Sequence, residues 1–516
     1  MFSNMKPLPK LILISLVAAG LAYGVNKAIE KGFIPKGRTT VETKEVKKAI
    51  KDGAKIVRVG VVTWGGYAGG EYFNGGFNAS EKSRYFQEYN TLVQFVLNDD
   101  FASSRAAWKA GKVDLMWTTV DAFPTEVDAL KDYDPVVVFQ SDWSRGGDAI
   151  IVRNGINTVK DLKGKKVSLA LGTPSHSMLL NTLAAGNLQY SDIVPVPTDS
   201  AVAAATMFKS GQVDAAVVWS PDDEDCVRSV AGSKILVNTK SAGNIIADIF
   251  FAKREFIEEN KEAVKAVVEG WMRGAAEINS NPTAKAEAIQ VLVEGLNIDK
   301  DLATKAINNA RLTTLGDNIN FFNINGNYAG VKGEDLYVKM HKMYTAIDLA
   351  PAVIPAWRNV AYASIIRDIR LDGPTHAAEG GALFSAPTQD MATAPAYAAK
   401  PISVTYASGS SQLTQEGMTK IDMEFADTAK QFSRSRIRVE GNTDNVGTID
   451  GIQDVQGVAL SQRRAQSVVD YLASKYGFDR RRFIAVGHGP YNPVADNNTE
   501  AGRAANRRTE FFLLDK

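Results

Sequence analysis

Three short stretches towards the end of this chain place Asp444, Arg464 and Arg507 in an order that suits a single small ligand. GNTDNVG (Gly441 to Gly447) holds Asp444 between Thr443 and Asn445, LSQRRA (Leu460 to Ala465) holds Arg464, and TEAGRAANRR (Thr499 to Arg508) holds Arg507. One fixed carboxylate and one fixed guanidinium can grip the two ends of a zwitterion, each through charge-assisted hydrogen bonds. Taken singly, any of these residues reads as a surface ion pair of little consequence. The ordered set is what points to a site.

A second group of candidates lies upstream, where apolar runs give way to polar residues. Thr173, Ser175 and His176 follow VSLAL (167–171), and Thr118 and Thr119 follow VDLMW (113–117). Free amides and a partial positive charge at a helix start suit an anionic group, although a hydroxyl there also serves as a plain helix cap. Trp64, Tyr67 and Trp219 read either as pocket walls or as core. Arg145, in SDWSRGG, reads as an anion clamp. Glu71, Asp121 and Asp222 fall near the same run ends and favour an amine-bearing or zwitterionic ligand instead, so the ligand's charge stays open. The DDED run at 222–225 reads as a solvated face.

Positioning these side chains takes a strand–helix framework. Alternation of strands and helices from Ile56 to about Asp372 argues for an α/β domain with a mainly parallel sheet, and its size argues for two lobes. AAWKAGKVDLMWTTVDAF (106–123) and ATMFKSGQVDAAVVWSPD (205–222) echo one another: a helix end, a glycine turn at Gly111 or Gly211, a Val-Asp pair and an apolar strand. Arg145 then falls near the crossover between lobes. Residues 31–55 read as a solvated tether, 56–375 as the two-lobed domain, 376–400 as an Ala/Pro-rich linker and 401–516 as a βαβαβ domain. Residues 1–30 contain an apolar run from Leu11 to Val25 behind Lys6 and Lys10. It reads as a cleaved signal segment, with a small-residue site ending at Gly24, or as a retained membrane helix if extended through Ile29 with Lys27 snorkelling. The retained helix is the preferred reading.

Composition removes several function classes. A net charge of +1 over 516 residues gives no footprint for nucleic acid. The one cysteine, Cys226, forbids an intramolecular disulfide or a Cys-rich metal site, and the four histidines make no ligand-spaced cluster. No nucleophile–base pair or phosphate loop is evident, and the glycines from Gly65 to Gly76 are too irregular for a dinucleotide fingerprint. No cofactor and no catalysis are expected.

The three C-terminal motifs resemble those of the OmpA-type peptidoglycan-binding domain. The resemblance implies a periplasmic address and a ligand in the diaminopimelate stem peptide, with Asp444 taking the amine, Arg464 the carboxylate and Arg507 lying nearby. The sequence departs from that pattern at Asn442, where a histidine is usual, at Gly457, where an asparagine is usual, and in a longer segment before Leu460. Residues 56 to about 372 resemble periplasmic solute-binding proteins of the taurine, nitrate and aliphatic-sulfonate type. The resemblance rests on VGVVTWGGYAGG (59–70), the GKVD and GQVD units, DLKGKKVSLALGTPSHSMLL (161–180) and VDAAVVWSPD (213–222). It implies two lobes closing on a small oxyanion such as phosphate, sulfonate, taurine or nitrate, and delivery to an ABC permease or a sensor. A structural envelope protein, whose central domain engages a protein partner, is the alternative.

Overall fold

The computed structural model describes residues 43–381, 384–406, 410–446 and 454–515. The Leu11–Val25 run lies outside them, and among the described residues no helix is long and apolar enough to cross a membrane. Helix α1 (Lys44–Lys51) opens the described chain, followed by β1 (Lys55–Val61), α2 (Ala68–Asn74), β2 (Thr91–Leu97), α3 (Phe101–Lys109), β3 (Leu115–Thr119) and β4 (Pro135–Ser144). The chain then crosses to a second lobe: β5 (Asp148–Val152), β6 (Lys166–Ala170), α4 (Pro174–Ala185), β7 (Val194–Thr198), α5 (Ala201–Lys209), β8 (Ala215–Trp219) and β9 (Lys234–Asn238). It returns through β10 (Ala247–Lys253), α6 (Lys261–Ser280), β11 (Ala310–Leu312) and α7 (Gly333–Thr345).

The first sheet has the order β11-β4-β10-β3-β1-β2 and the second β7-β6-β8-β5-β9. Three neighbouring strands in each are parallel, but β4 with β10, and β5 with β9, run antiparallel. Each sheet is therefore mixed rather than mainly parallel. The cause is topological: β4 leaves the first lobe and β10 re-enters it, so the two lie side by side in opposite directions.

The repeated unit seen in the sequence repeats in space. α3 and α5 each end in a left-handed glycine, Gly111 (φ 69°) and Gly211 (φ 84°), where a Cβ would be strained. The chain then enters β3 or β8, each the third parallel strand of its sheet. The aspartate of each Val-Asp pair locks this return. Asp114 Oδ2 accepts from the Arg58 amide and Asp214 Oδ2 from the Lys166 amide, both at 2.8 Å, while each aspartate's own amide donates back to the same neighbour's carbonyl.

The glycines of 65–70 are explained by packing. A Cβ on Gly70 would lie 2.3 Å from the Trp271 ring, and one on Gly274 would lie 2.1 Å from the Gly69 carbonyl. α2 and α6 thus approach backbone to backbone. Val264, Val267, Val268, Trp271 and Ala275 line the buried face of α6, as their spacing predicts.

The C-terminal domain comprises β12 (Ala398–Ile402), α8 (Gln415–Ile421, a π-helical turn Asp422–Ala426, then Asp427–Gln431), β13 (Arg436–Asn442), α9 (Val455–Tyr476), β14 (Phe483–Gly489), α10 (Glu500–Asn506) and β15 (Thr509–Leu514). The βαβαβ order is extended by α10 and β15, and β15 inserts between β12 and β13. The first strand is 398–402, not 402–406, because β15 supplies its antiparallel partner there.

This domain is docked, not loosely tethered. One apolar cluster runs from Val159, Leu179 and Ile245 of the second lobe to Tyr397, Phe432 and Ile437. The Asn244 amide donates to the Gln431 carbonyl (2.9 Å), and Ser433 Oγ donates to Asn244 Oδ1 (2.6 Å). The described parts of the expected tether and linker pack as well. Val46 and Ala49 of α1 bury against Leu92, and Glu379 of the linker bonds Arg145 and Arg434.

Asp114→Ala and Asp214→Ala should each cost about 1–2 kcal/mol, since each strands a strand-end amide. The measurement is the urea midpoint at unchanged slope. Two unshifted midpoints would show that the repeated aspartates do not hold the return.

Candidate functional site

Two connectors cross between the lobes, one between β4 and β5 and one between β9 and β10. The lobes meet beside them. The Phe101 ring lies 6.3 Å from Trp219, Thr125 Oγ1 donates to the Gly172 carbonyl (3.2 Å), and Asn309 Nδ2 donates to Ser220 Oγ (3.1 Å). This is a closed arrangement.

Four buried aspartates surround the crossings. Asp121 follows β3, Asp142 is on β4, Asp148 opens β5 and Asp248 is on β10. Asp142 and Asp248 are direct cross-strand neighbours, a pairing that like charges disfavour. Neutral groups donate to them: Trp64 Nε1 and Ser141 Oγ to Asp142 (3.1 and 2.9 Å), Tyr67 OH to Asp248 (2.8 Å), Ser144 Oγ to Asp148 (2.7 Å) and the Ala247 amide to Asp121 (3.3 Å). Among the described residues none of the four has an ion pair with a lysine or arginine, and Asp121 Oδ2 has no hydrogen-bond partner.

Burial without a counter-charge disfavours the ionised form. It raises Asp121, Asp142 and Asp148 to about 7, and neighbouring carboxylates add to the rise at Asp148. Asp248 is pushed well above the ordinary range by burial, and then by Asp142, Asp148 and Asp121. Burial makes each negative charge in the seam costly, and a cation entering it would favour the ionised form.

The structure sorts the upstream candidates. Trp64 and Tyr67 hold seam aspartates, and Trp219 faces Phe101 with its Nε1 unpartnered. Ser175 Oγ is buried without a partner on the first turn of α4. Thr173 starts that helix, but its hydroxyl turns back to the Ala170 carbonyl (2.9 Å). His176 packs at a tilt against Tyr190 and edge-on to Tyr344, and burial lowers it to about 4, so it is neutral at pH 7. Thr118 is engaged by Glu126 (2.6 Å), itself gripped by Arg105, and Thr119 accepts from the Ala122 amide (3.4 Å).

Arg145 does lie at the crossover, but it bonds Glu379 at 2.8 Å rather than a seam group. Glu71 is buried in the first lobe, and Asp222 lies near Lys209. The DDED run is only partly a solvated face. It forms the first turn of the helix Asp222–Ser229, with Asp223 buried and Asp225 paired to Lys209 and Arg228. Sequence reasoning missed Asp142, Asp148 and Asp248. Asp248 alone carried a signal, an acid within the apolar run ADIFFA.

In the C-terminal domain, glycines bring the motif residues together. A Cβ on Gly441 would lie 2.3 Å from the Ser461 carbonyl, and one on Gly487 would lie 2.3 Å from the Gln462 amide nitrogen. β13 and β14 thus press on the start of α9, which carries Arg464. Asp444 accepts from Arg507 Nη1 at 2.6 Å, and Arg507 also bonds Glu500 (2.8 Å).

The Arg464 guanidinium lies 4.8 Å over Tyr406, its Nε donates to the Ser410 carbonyl (3.1 Å), and it is near enough to Asp444 and Arg507 to feel their charges. Thr443 is buried with its hydroxyl unpartnered, and Asn445 is exposed beside Asp444. Asn442, where the histidine is usual, has both side-chain amide atoms buried without partners. Gly457 packs on the helix-capping Asp454, whose Oδ1 accepts its amide (2.8 Å). Gly447 and the longer segment to residue 453 lie outside the described residues. Tyr406 and Glu500 are the site neighbours that the motifs did not reveal.

Comparison with known proteins follows the same division. Residues 405–507 match the OmpA family and residues 72–285 match the NMT1/THI5 like family. Outer membrane porin F of Pseudomonas aeruginosa is 48% identical over 85 residues, covering 16% of this chain and 23% of the porin. A Brucella abortus protein named as a binding protein is 26% identical over 209 residues, covering 39% of this chain and 63% of its own length. The chain thus spans less than two thirds of either relative. The crystal structure of the periplasmic aliphatic sulphonate binding protein SsuA from Escherichia coli aligns with a TM-score of 0.46 and 18% identity, over 61% of this chain and 99% of that chain. The chain joins an NMT1/THI5-like domain to a C-terminal OmpA-family domain.

Proposed function

We propose that this chain is a non-enzymatic periplasmic solute-binding protein held on peptidoglycan by its C-terminal domain, and that its interlobe seam takes a ligand bearing a protonated amine. The observation that carries the ligand class is the set of four buried carboxylates at the crossings, Asp121, Asp142, Asp148 and Asp248, none of them in an ion pair with a lysine or arginine among the described residues. A bare oxyanion would add a fifth negative group to that set, so phosphate, sulfate and nitrate fit poorly. A zwitterion such as taurine fits through its ammonium end. Trp64, Tyr67, Ser175 and Trp219 are the further contact residues in this reading. Delivery to an ABC permease and anchoring through Leu11–Val25 belong to the same proposal.

The test is a thermal-shift panel setting amines and taurine against phosphate, sulfate, nitrate and alkyl sulfonates. A ligand at about a hundred times its Kd adds about 2.7 kcal/mol, a shift of at most several degrees for a chain this large. Amines should shift the melt, and Asp121→Asn should weaken the hit about tenfold, which is about 1.4 kcal/mol. A panel in which only oxyanions shift the melt would sink the amine assignment.

The pH dependence has a definite sign. A carboxylate whose folded pKa is raised binds more protons folded than unfolded, so its contribution to stability falls as pH rises from about 4 to about 7. A cation that binds the ionised seam reverses this. Amine affinity measured by titration calorimetry should rise between pH 5.5 and pH 8, roughly across the carboxylate titrations, with proton release below pH 7. Flat affinity and no proton release would show that the four aspartates do not face the ligand.

For the wall site, Asp444 is assigned to the stem-peptide amine and Arg464 to its carboxylate, with Arg507 moving off Asp444 as the ligand enters and Thr443 and Asn445 shaping the turn. Asp444→Ala and Arg464→Ala should each abolish co-sedimentation with purified peptidoglycan. Wild-type sedimentation of both variants would remove the assignment.

A further inference from the structure

A cavity of about 490 Å³ opens where the first lobe, the 376–400 segment and the C-terminal domain meet, and none of the four seam aspartates lines it. Its charge is of the opposite sign. Arg145, Lys430, Arg434 and Arg482 line it. Of the acids on its wall, Asp479 is taken by Arg481 (2.9 Å), and Asp317 by Arg311 (3.0 Å) and the amides of Thr314 and Glu379. That leaves Glu379, which Arg145 and Arg434 share at 2.8 and 2.9 Å.

One carboxylate does not use up these donors. The Arg145 side chain is 9% exposed, and its Nε and Nη1 have no hydrogen-bond partner. A buried guanidinium that keeps two idle nitrogens is unusual, because buried donors are almost always satisfied. The rest of the wall includes the rings of Phe384, Phe478 and Tyr328, which suit a flat or apolar body.

We propose that this junction cavity binds a small organic carboxylate with a planar apolar body, its anionic group competing with Glu379 for Arg145 Nη2 and Arg434 Nη2. The site is separate from the acid seam and does not depend on what the seam binds. Its occupant would touch the first connector at Arg145, the second at Asn244, and the C-terminal domain at Arg434.

Benzoate is the probe, titrated calorimetrically into the full chain and followed by Trp143 fluorescence against a Trp143→Phe control. Saturable binding is expected. Glu379→Gln removes the competing carboxylate and should tighten binding severalfold. Arg434→Gln removes a donor and should weaken it about tenfold, equivalent to about 1.4 kcal/mol. Asp121→Asn, in the seam, should leave benzoate affinity unchanged while it impairs amine binding. Opposite signs at Glu379 and Arg434 cannot both come from a loss of folding. No saturable binding to wild type or to Glu379→Gln, or one affinity across all the variants, overturns the proposal.

Discussion

Charge taken out of water at the lobe crossings is the constraint on which the central domain depends. An isolated carboxylate is costly in a low-dielectric interior unless it is paired or protonated. Here hydroxyl, indole and amide donors orient the four aspartates but carry no charge to set against them. Asp142 and Asp248, directly opposed across β4 and β10, cannot both ionise cheaply. Protons on the carboxylates, or a cation among them, would each lower that cost, and the strands at the crossings are what bring the four acids together.

The C-terminal domain changes what closure can mean mechanically. Flexible linkers would hold a binding domain near one patch of wall and raise its effective concentration there. The docked arrangement does something different. The second lobe and the C-terminal domain share one apolar cluster, and the 431–435 turn bonds the second connector through Gln431 and Ser433. An opening of the lobes would then move the first lobe against that combined unit, with the two connectors taking up the change in backbone angle. In the proposed reading, a C-terminal domain held on peptidoglycan would fix the orientation of the cleft as well as its location.

Much of this was legible in the sequence where local chemistry dictates local structure. The GKVD and GQVD units predicted two related βα returns, because a left-handed glycine and a strand-end aspartate each have one job that few other residues can do. The motifs around Asp444, Arg464 and Arg507 resemble a family pattern that implies a shared site, and the fold puts Asp444 2.6 Å from Arg507 with Arg464 near enough to feel both charges. Strand β15 was not legible, because TEFFLL says nothing about which two strands it will separate. Nor were Asp142, Asp148 and Asp248: they lie far apart in sequence and become a site only when β4, β5 and β10 converge. Arg145 lies at the crossover, and its partner Glu379 was not legible, since it lies 234 residues on, in a segment whose composition reads as linker.

Arg145 is also where the two halves of the molecule touch electrically. It is the cation whose field reaches Asp142 in the seam, and the same guanidinium carries the contact to Glu379 and lies near Arg434. Coupling between distant sites needs an element with two arrangements that both sites bias, and one charge shared by two places is not by itself such an element. Arg145 at the head of one connector and Asn244 on the other bring the first lobe, the 376–400 segment and the C-terminal domain to one buried junction, so these parts meet without a relay of packed side chains.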